Sequence, residues 1–277
     1  MLRLLLLICL ISIAVTVQYV TAAPPQQVKT RSIVSEYFTQ HRPKSPKRTK
    51  PTRKDVYQLA SKPLPESTTE KLQIGVTIWK LQPVFAAHSS KSQLISRRVE
   101  AGTQFHDGDL LRLSIESPQV GYLYVIDRDL FTDGSSGKTN LIFPARDEDN
   151  RLEPGKLIDI PGPDQLPFQA TPASNQSGEV LTFIVTSAPL PLSLTGDALP
   201  ISSQQLAEWE DSFGGLSERF EMVGGAGQVR TTAELVAASS RGNKQLTPDD
   251  PAPQTIYFLN SKSNDGFLFN LMLSYHR

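Results

Sequence analysis

The stretch GYLYVIDRDLFTDGSSGKTNLIFP, Gly121 to Pro144, sets two apolar runs on either side of a middle rich in Asp, Gly and Ser. GYLYVID is apolar at successive positions, as a strand covered on both faces must be, and LIFP is a second, shorter apolar run. The middle either holds chemistry or only joins two strands. Asp127, Asp129 and Asp133 form D-x-D-x-x-x-D-G, whose hard oxygens would suit calcium. An EF-hand loop needs glycine at its sixth position, and Thr132 stands there. Ser135 and Ser136 lie in DGSSGK, which is neither a nucleophile elbow nor a phosphate loop. The reading is therefore a connection between adjacent strands. At thirteen residues, Asp127 to Thr139, it is long for a hairpin, which makes it the place to look for a partner surface.

Outward from this stretch, period-two alternation dominates. GVTIWKLQP puts Val76, Ile78 and Lys80 on one face and Thr77, Trp79 and Leu81 on the other. GDLLRLSIES points Leu111, Leu113 and Ile115 inward and Arg112, Ser114 and Glu116 outward. GEVLTFIVTS turns Leu181, Phe183 and Val185 inward. TIYFLN and GFLFNLMLSYH close the chain, and SKSNDG between them, Ser261 to Gly266, carries the Asn-Asp-Gly signal of a hairpin turn. Two helices interrupt the pattern. In SSQQLAEWEDSFGG, Ser202 and Gln205 have capping-box spacing, Leu206, Trp209 and Phe213 share a face, and Gly214 and Gly215 can end the helix. In TTAELVAASSRG, Thr231 and Glu234 form the box and Gly242 the stop. The expected fold is mainly β: an antiparallel, immunoglobulin-like β-sandwich with one or two short helices packed near the C-terminal part.

The start of the chain reads as an export signal: Arg3, an apolar run from Leu4 to Val17, and the small residues Thr21-Ala22-Ala23. That run is too short to span a bilayer comfortably, and the alternative is an uncleaved signal anchor. Cys9, the only cysteine, lies inside the run, so the mature chain would have no disulfide and no thiol chemistry. This favours a bacterial envelope, periplasmic or extracellular, over a disulfide-forming secretory route.

The net charge of zero hides a segregation. Pro24 to Lys62 has ten Lys and Arg against Glu36 and Asp55, a net +8, while Pro63 to Arg277 carries a net −9. HRPKSPKRTKPTRKD, with Pro43, Pro46 and Pro51 among its charges, reads as an extended, disordered arm. It suits an anionic surface such as lipid headgroups or a wall polymer, and a solvated spacer is the plain alternative. Nucleic acid is disfavoured by the export signal and by the few aromatics in the arm. SIVSEYF, Ser32 to Phe38, is an apolar island able to form a transient helix. The expected organisation is a signal peptide over residues 1–22, a basic Pro-rich disordered linker over 23–71 and a single sandwich domain over 72–277.

FHDGDLLRLSIES, GYLYVID, an Asp/Gly linker, LIFP, NRLEPGKLIDIPG and SGEVLTFIVTSAPL follow one another in an order that resembles the bacterial domain-of-unknown-function family 4384, over about residues 99–190. The resemblance implies an exported or envelope-associated module and supplies no catalytic residues. The motif positions have structural readings: Asp109 bonding backbone amides beside Gly108, Tyr122 and Tyr124 sharing a strand face, Pro144 ending a strand, and Gly155 at positive φ. Of the four histidines, His41, His88, His106 and His276, none has a metal-ligand partner at i+2 or i+4. VGGAGQ, Val223 to Gln228, lacks the Lys-Ser/Thr of a phosphate loop. No catalytic, cofactor-binding or metal residue is singled out and no cofactor is implied. Two functions are carried forward. One is a non-catalytic envelope interaction or scaffold module, whose partner is an envelope protein or an anionic envelope surface met through the arm, with peripheral membrane contact. The other is a secreted hydrolase that uses acidic residues.

Overall fold

The computed structural model describes residues 34–44, 72–85, 92–146, 148–194, 196, 198–239, 244–261, 263 and 265–276. The export signal and most of the arm lie outside them, as do His88 and Gly242. Residues 34–40 form helix α1. Strands β1 (Leu72–Phe85), β2 (Ser92–Val99), β3 (Gln104–Phe105), β4 (Leu110–Glu116), β5 (Gly121–Phe131) and β6 (Ser136–Phe143) follow. Next come β7 (Arg151–Leu152), β8 (Ile158–Ile160), β9 (Phe168–Gln169), β10 (Gln176–Thr186) and β11 (Leu199–Pro200). The chain ends with α2 (Ser203–Phe213), β12 (Gly215–Glu221), α3 (Thr232–Ala238), β13 (Thr255–Ser261) and β14 (Gly266–Tyr275).

The strands make two seven-stranded sheets packed as a β-sandwich. In the first the order is β12-β13-β1-β4-β8, with β2 on β1 and β9 on β4; in the second it is β11-β6-β5-β10-β14-β3, with β7 on β5. Pairing between strands is antiparallel except for the short parallel contact of β14 with β3, and Gly214 makes an isolated parallel bridge to Leu268. The core lies between the sheets, where Ile74, Val76, Ile78, Leu113 and Ile115 meet Leu123, Val125, Leu181, Phe183 and Phe269. The registers read from the alternation of β1, β4 and β10 are the observed ones.

Helix α2 covers the outer face of the second sheet, burying Leu206 and Trp209 against Tyr124, Ile126, Leu141 and Ile184. The Ser202 hydroxyl accepts from the Gln205 N–H at 3.1 Å, and Gly214 closes the helix with its N–H on the Glu210 carbonyl at 2.9 Å. At α3 both halves of the capping box form between Thr231 and Glu234.

Three expectations need correction. The thirteen-residue loop from Asp127 to Thr139 does not exist as a loop. β5 continues to Phe131 and β6 begins at Ser136, so only Thr132 to Ser135 turn, with Gly134 at φ +82°. The polar side chains there are compatible with strand pairing because β5 is flanked by β10 and β6 over this length. SKSNDG is not a hairpin turn: β13 pairs with β1 and β12, and β14 with β10 and β3, so the chain crosses there from one sheet to the other. Both edges of β13 are already occupied, and β14 must go elsewhere. Lastly, residues 34–44, expected within the disordered linker, are a helix and turn docked on the body, with Phe38 and Arg42 buried.

Candidate functional site

The outer face of the first sheet is where the fold departs most from a plain sandwich. Ser114 and Glu116 do point away from the core, as the alternation requires, yet both are buried. A second layer covers them: residues 34–44, α3, the segment around Gly227 to Arg230, and residues 244–254. Bridges Arg98 N–H to Gln228 O at 2.9 Å and Arg230 N–H to Ser96 O at 3.0 Å stitch this layer to β2.

The layer is held by three buried ion pairs. Arg42 meets Glu116, Arg98 meets Glu234, and Arg230 meets Asp159. The Arg230 guanidinium donates to both Asp159 oxygens at 2.8 and 2.9 Å. Asp159 also accepts from Ser114 Oγ at 2.6 Å, and Ser114 accepts from Trp79 Nε1 at 2.8 Å. The guanidinium carbons of Arg98 and Arg230 stand 5.3 and 5.2 Å from the Trp79 ring centroid, within cation–π range. A buried charge is tolerated only when paired and hydrogen-bonded, and each of these is.

The Arg42 end of this layer is a socket. Arg42 Nε and Nη2 donate to the two Glu116 oxygens at 2.6 and 2.7 Å. Nη1 donates to the carbonyls of Thr247 and Asp250 at 3.1 and 2.8 Å, and Nη2 also to Pro251 O at 3.0 Å. All five guanidinium donors are thereby used. The acceptor loop is itself fixed, since Asp250 Oδ2 receives the Thr247 N–H and hydroxyl at 2.7 and 2.9 Å. Burial raises the Glu116 carboxyl, and Arg42 opposes that shift. One turn earlier, Phe38 is 1% exposed and lies over Gly75, where a Cβ would stand 2.9 Å from its ring. Phe38 lies in α1 and Arg42 two residues past its end, and both are buried against the body. Beside the socket, a groove of about 770 Å3 runs past Glu148, Glu153, Lys156, Asp164, Ala237 and Lys244.

The residues weighed in the sequence fall elsewhere. Asp127 and Asp129 extend the inward-facing row of Leu123 and Val125 to the rim of the sandwich, where Glu179 pairs across from Asp129. Asp129 accepts from Gln176 Nε2 at 2.9 Å, and Glu179 accepts from the Tyr275 hydroxyl at 2.5 Å. Burial, then the neighbouring Glu179 and Asp129 charges, push Asp127 up to about 7, and burial raises Glu179 as well. Asp133 is not with them: it sits in the turn, accepting from Ser135 N–H and Oγ at 2.9 and 2.6 Å. Among the described residues no group of three His, Cys, Asp or Glu could hold a metal ion.

Asp109 caps the loop before β4 through the His106 N–H at 2.9 Å and meets Lys80 at 2.6 Å. Burial raises its pKa, but these two partners outweigh burial and leave it lowered. Gly108 and Gly155 have positive φ. His106 and His276 stack with centroids 4.6 Å apart, a pairing that their separation in sequence hides. Sequence reading missed Arg42, Arg98, Asp159 and Arg230, and took Glu116 only for an outward strand residue and Glu234 only for a helix cap. The signal within reach was Phe38-x-x-x-Arg42, an aromatic and an arginine at helical spacing at the edge of the apolar island. No family model matches the chain, and neither does any curated protein or solved structure.

Proposed function

We propose that this chain is a non-catalytic, exported interaction module of the cell envelope, whose body binds a helical peptide on the outer face of its first sheet while its basic arm meets an anionic envelope surface. The observation that carries the reading is the way the body holds residues 34–44. An aromatic anchor in a pocket and an arginine with every donor satisfied are the means by which interfaces bind peptides. The 27 residues from 45 to 71 separate this segment from β1. Export is supported by Arg3, the Leu4–Val17 run and Thr21–Ala23, and envelope contact by the +8 arm. The motif order over 99–190 supports the same setting.

The experiment is co-sedimentation of the full chain with anionic vesicles. Each basic residue near such a surface is worth about 1 kcal/mol, and the attraction fades as the Debye length falls from about 10 Å at 0.1 M salt to about 3 Å at 1 M. The expected result is binding at low salt, release at high salt, and loss in a chain with Lys47, Arg48, Lys50 and Arg53 changed to Gln. Equal sedimentation of both chains would refute the role of the arm.

A second reading, a hydrolase using acidic residues, is favoured by one observation: Asp127, raised to about 7, stands with Asp129 and Glu179, as a general acid would require. Those carboxylates do not line the 770 Å3 groove.

A further inference from the structure

Resting on the binding-module reading, we infer that the Arg42–Phe38 socket is an exchangeable docking site and that residues 34–44 of a second copy of this chain can occupy it. The socket recognises a helical segment with an aromatic residue and an arginine four positions apart.

Its parts belong to the body and not to the segment. Glu116 comes from β4, the three carbonyls from the loop Thr247–Pro251, and the floor under Phe38 from Gly75 and Pro253. The acceptor loop is pinned by Thr247 and Asp250 through bonds internal to the body. Residues 34–44 contribute no strand to either sheet. The inter-sheet core contains none of their side chains. The segment is therefore a separate element of the fold, joined to β1 through residues 45–71. Twenty-seven residues can span at most roughly 90 Å. Covalent linkage favours docking in cis through a high effective concentration, and the same contacts are available in trans as copies crowd together. Exchange of an identical element between copies needs no new interface chemistry. Outside the docked residues 34–44 the arm carries +7 against a body at −9, and the two attract between copies as well as within one.

Cysteine trapping separates the two arrangements, and the chain suits it because Cys9 is its only cysteine. A Cβ at Gly155 would meet Pro43 at 2.8 Å and Gln245 at 3.2 Å, so residues 43 and 245 flank one point at the socket mouth. In full chains with Cys9→Ser, the pair Pro43→Cys and Gln245→Cys in one molecule reads docking in cis. One copy with Pro43→Cys mixed with a differently tagged copy with Gln245→Cys reads docking in trans.

The expected result is ready closure in cis. In the mixture, a cross-chain disulfide should form at least tenfold faster than with Leu216→Cys as donor, a residue 78% exposed on β12 that reports random collision. Adding Arg42→Ala to the Pro43→Cys donor should reduce the cross-chain rate to that of the control. Because the receptor copy is the same in both mixtures, this loss cannot come from its unfolding. Closure in cis with a cross-chain rate equal to the control would overturn exchange, while leaving the binding-module reading to be judged by the vesicle experiment. A cross-chain rate indifferent to Arg42→Ala would overturn the socket itself.

Discussion

Arg42 and Glu116, 74 positions apart, form a two-pronged ion pair at 2.6 and 2.7 Å with both side chains almost wholly buried. The pair fixes a segment of the basic stretch to β4, which lies between β1 and β8 in the first sheet. Removing one partner of such a pair costs about 3–5 kcal/mol, because the other is left charged and buried. Arg42→Ala is expected to lose that much in denaturant unfolding, or less where the segment lifts away and lets water reach Glu116. Arg42→Met with Glu116→Leu removes both charges and should recover most of the loss. A double variant as unstable as Arg42→Ala would show that packing of the arginine stem, not charge, holds the segment.

Gly75 tests the other anchor. A methyl group there would stand 2.2 Å from Pro253 Cγ and 2.9 Å from the Phe38 ring. Overpacking of this kind costs about 1–3 kcal/mol. Gly75→Ala should therefore destabilise and also expose residues 34–44, read as faster hydrogen exchange and proteolysis confined to that segment. Gly102→Ala is the control, since nothing lies within 4 Å of its added methyl. Unchanged exchange over residues 34–44 in Gly75→Ala would mean that Phe38 does not depend on this floor.

Asp127 gives the fold a pH dependence of definite sign. Its pKa is about 7 in the folded chain against an ordinary 3.8, so the folded state holds a proton that the unfolded state has released between those values. Stability from this group is full below the ordinary value and is lost as pH rises toward 7, at up to about 1.4 kcal/mol per pH unit. Glu179, also raised, acts in the same direction. Asp127→Asn cannot ionise, and its melting temperature should fall less than that of the unaltered chain between about pH 4 and pH 7. Parallel curves for the two proteins would mean that Asp127 is ionised at neutral pH and solvated at the sandwich rim.

The sandwich was legible because its strands obey one rule: side chains alternate, and the inward set is apolar. Leu111, Leu113 and Ile115 declare their face without help from distant residues. The covering layer was not legible, because Ser114, Glu116 and Asp159 look like solvent-facing positions until their partners are known. Those partners, Trp79, Arg42 and Arg230, lie 35 to 74 residues away, and nothing local marks them. The hairpin signal in SKSNDG failed for a related reason. Turn chemistry is local, but which strand β14 pairs with depends on the edges already filled around β13.

Ser114 joins Trp79 to the ion pairs, and its removal separates a hydrogen-bond effect from a packing effect. Ser114→Ala leaves Trp79 Nε1, donating to Ser114 Oγ at 2.8 Å, without that acceptor, and takes one donor from Asp159. An orphaned buried donor costs about 1–3 kcal/mol. Trp79→Phe removes the donor and keeps an aromatic face beside Arg98 and Arg230 at the cost of some volume. If the bond matters, the two changes are not additive: the double variant should be more stable than the sum of the single losses indicates, by about 0.5–3 kcal/mol as coupled neighbours show. Denaturant melts of the four proteins measure this coupling. Strict additivity would mean that Ser114 serves Asp159 alone and that Trp79 is held by the two guanidinium groups and by packing.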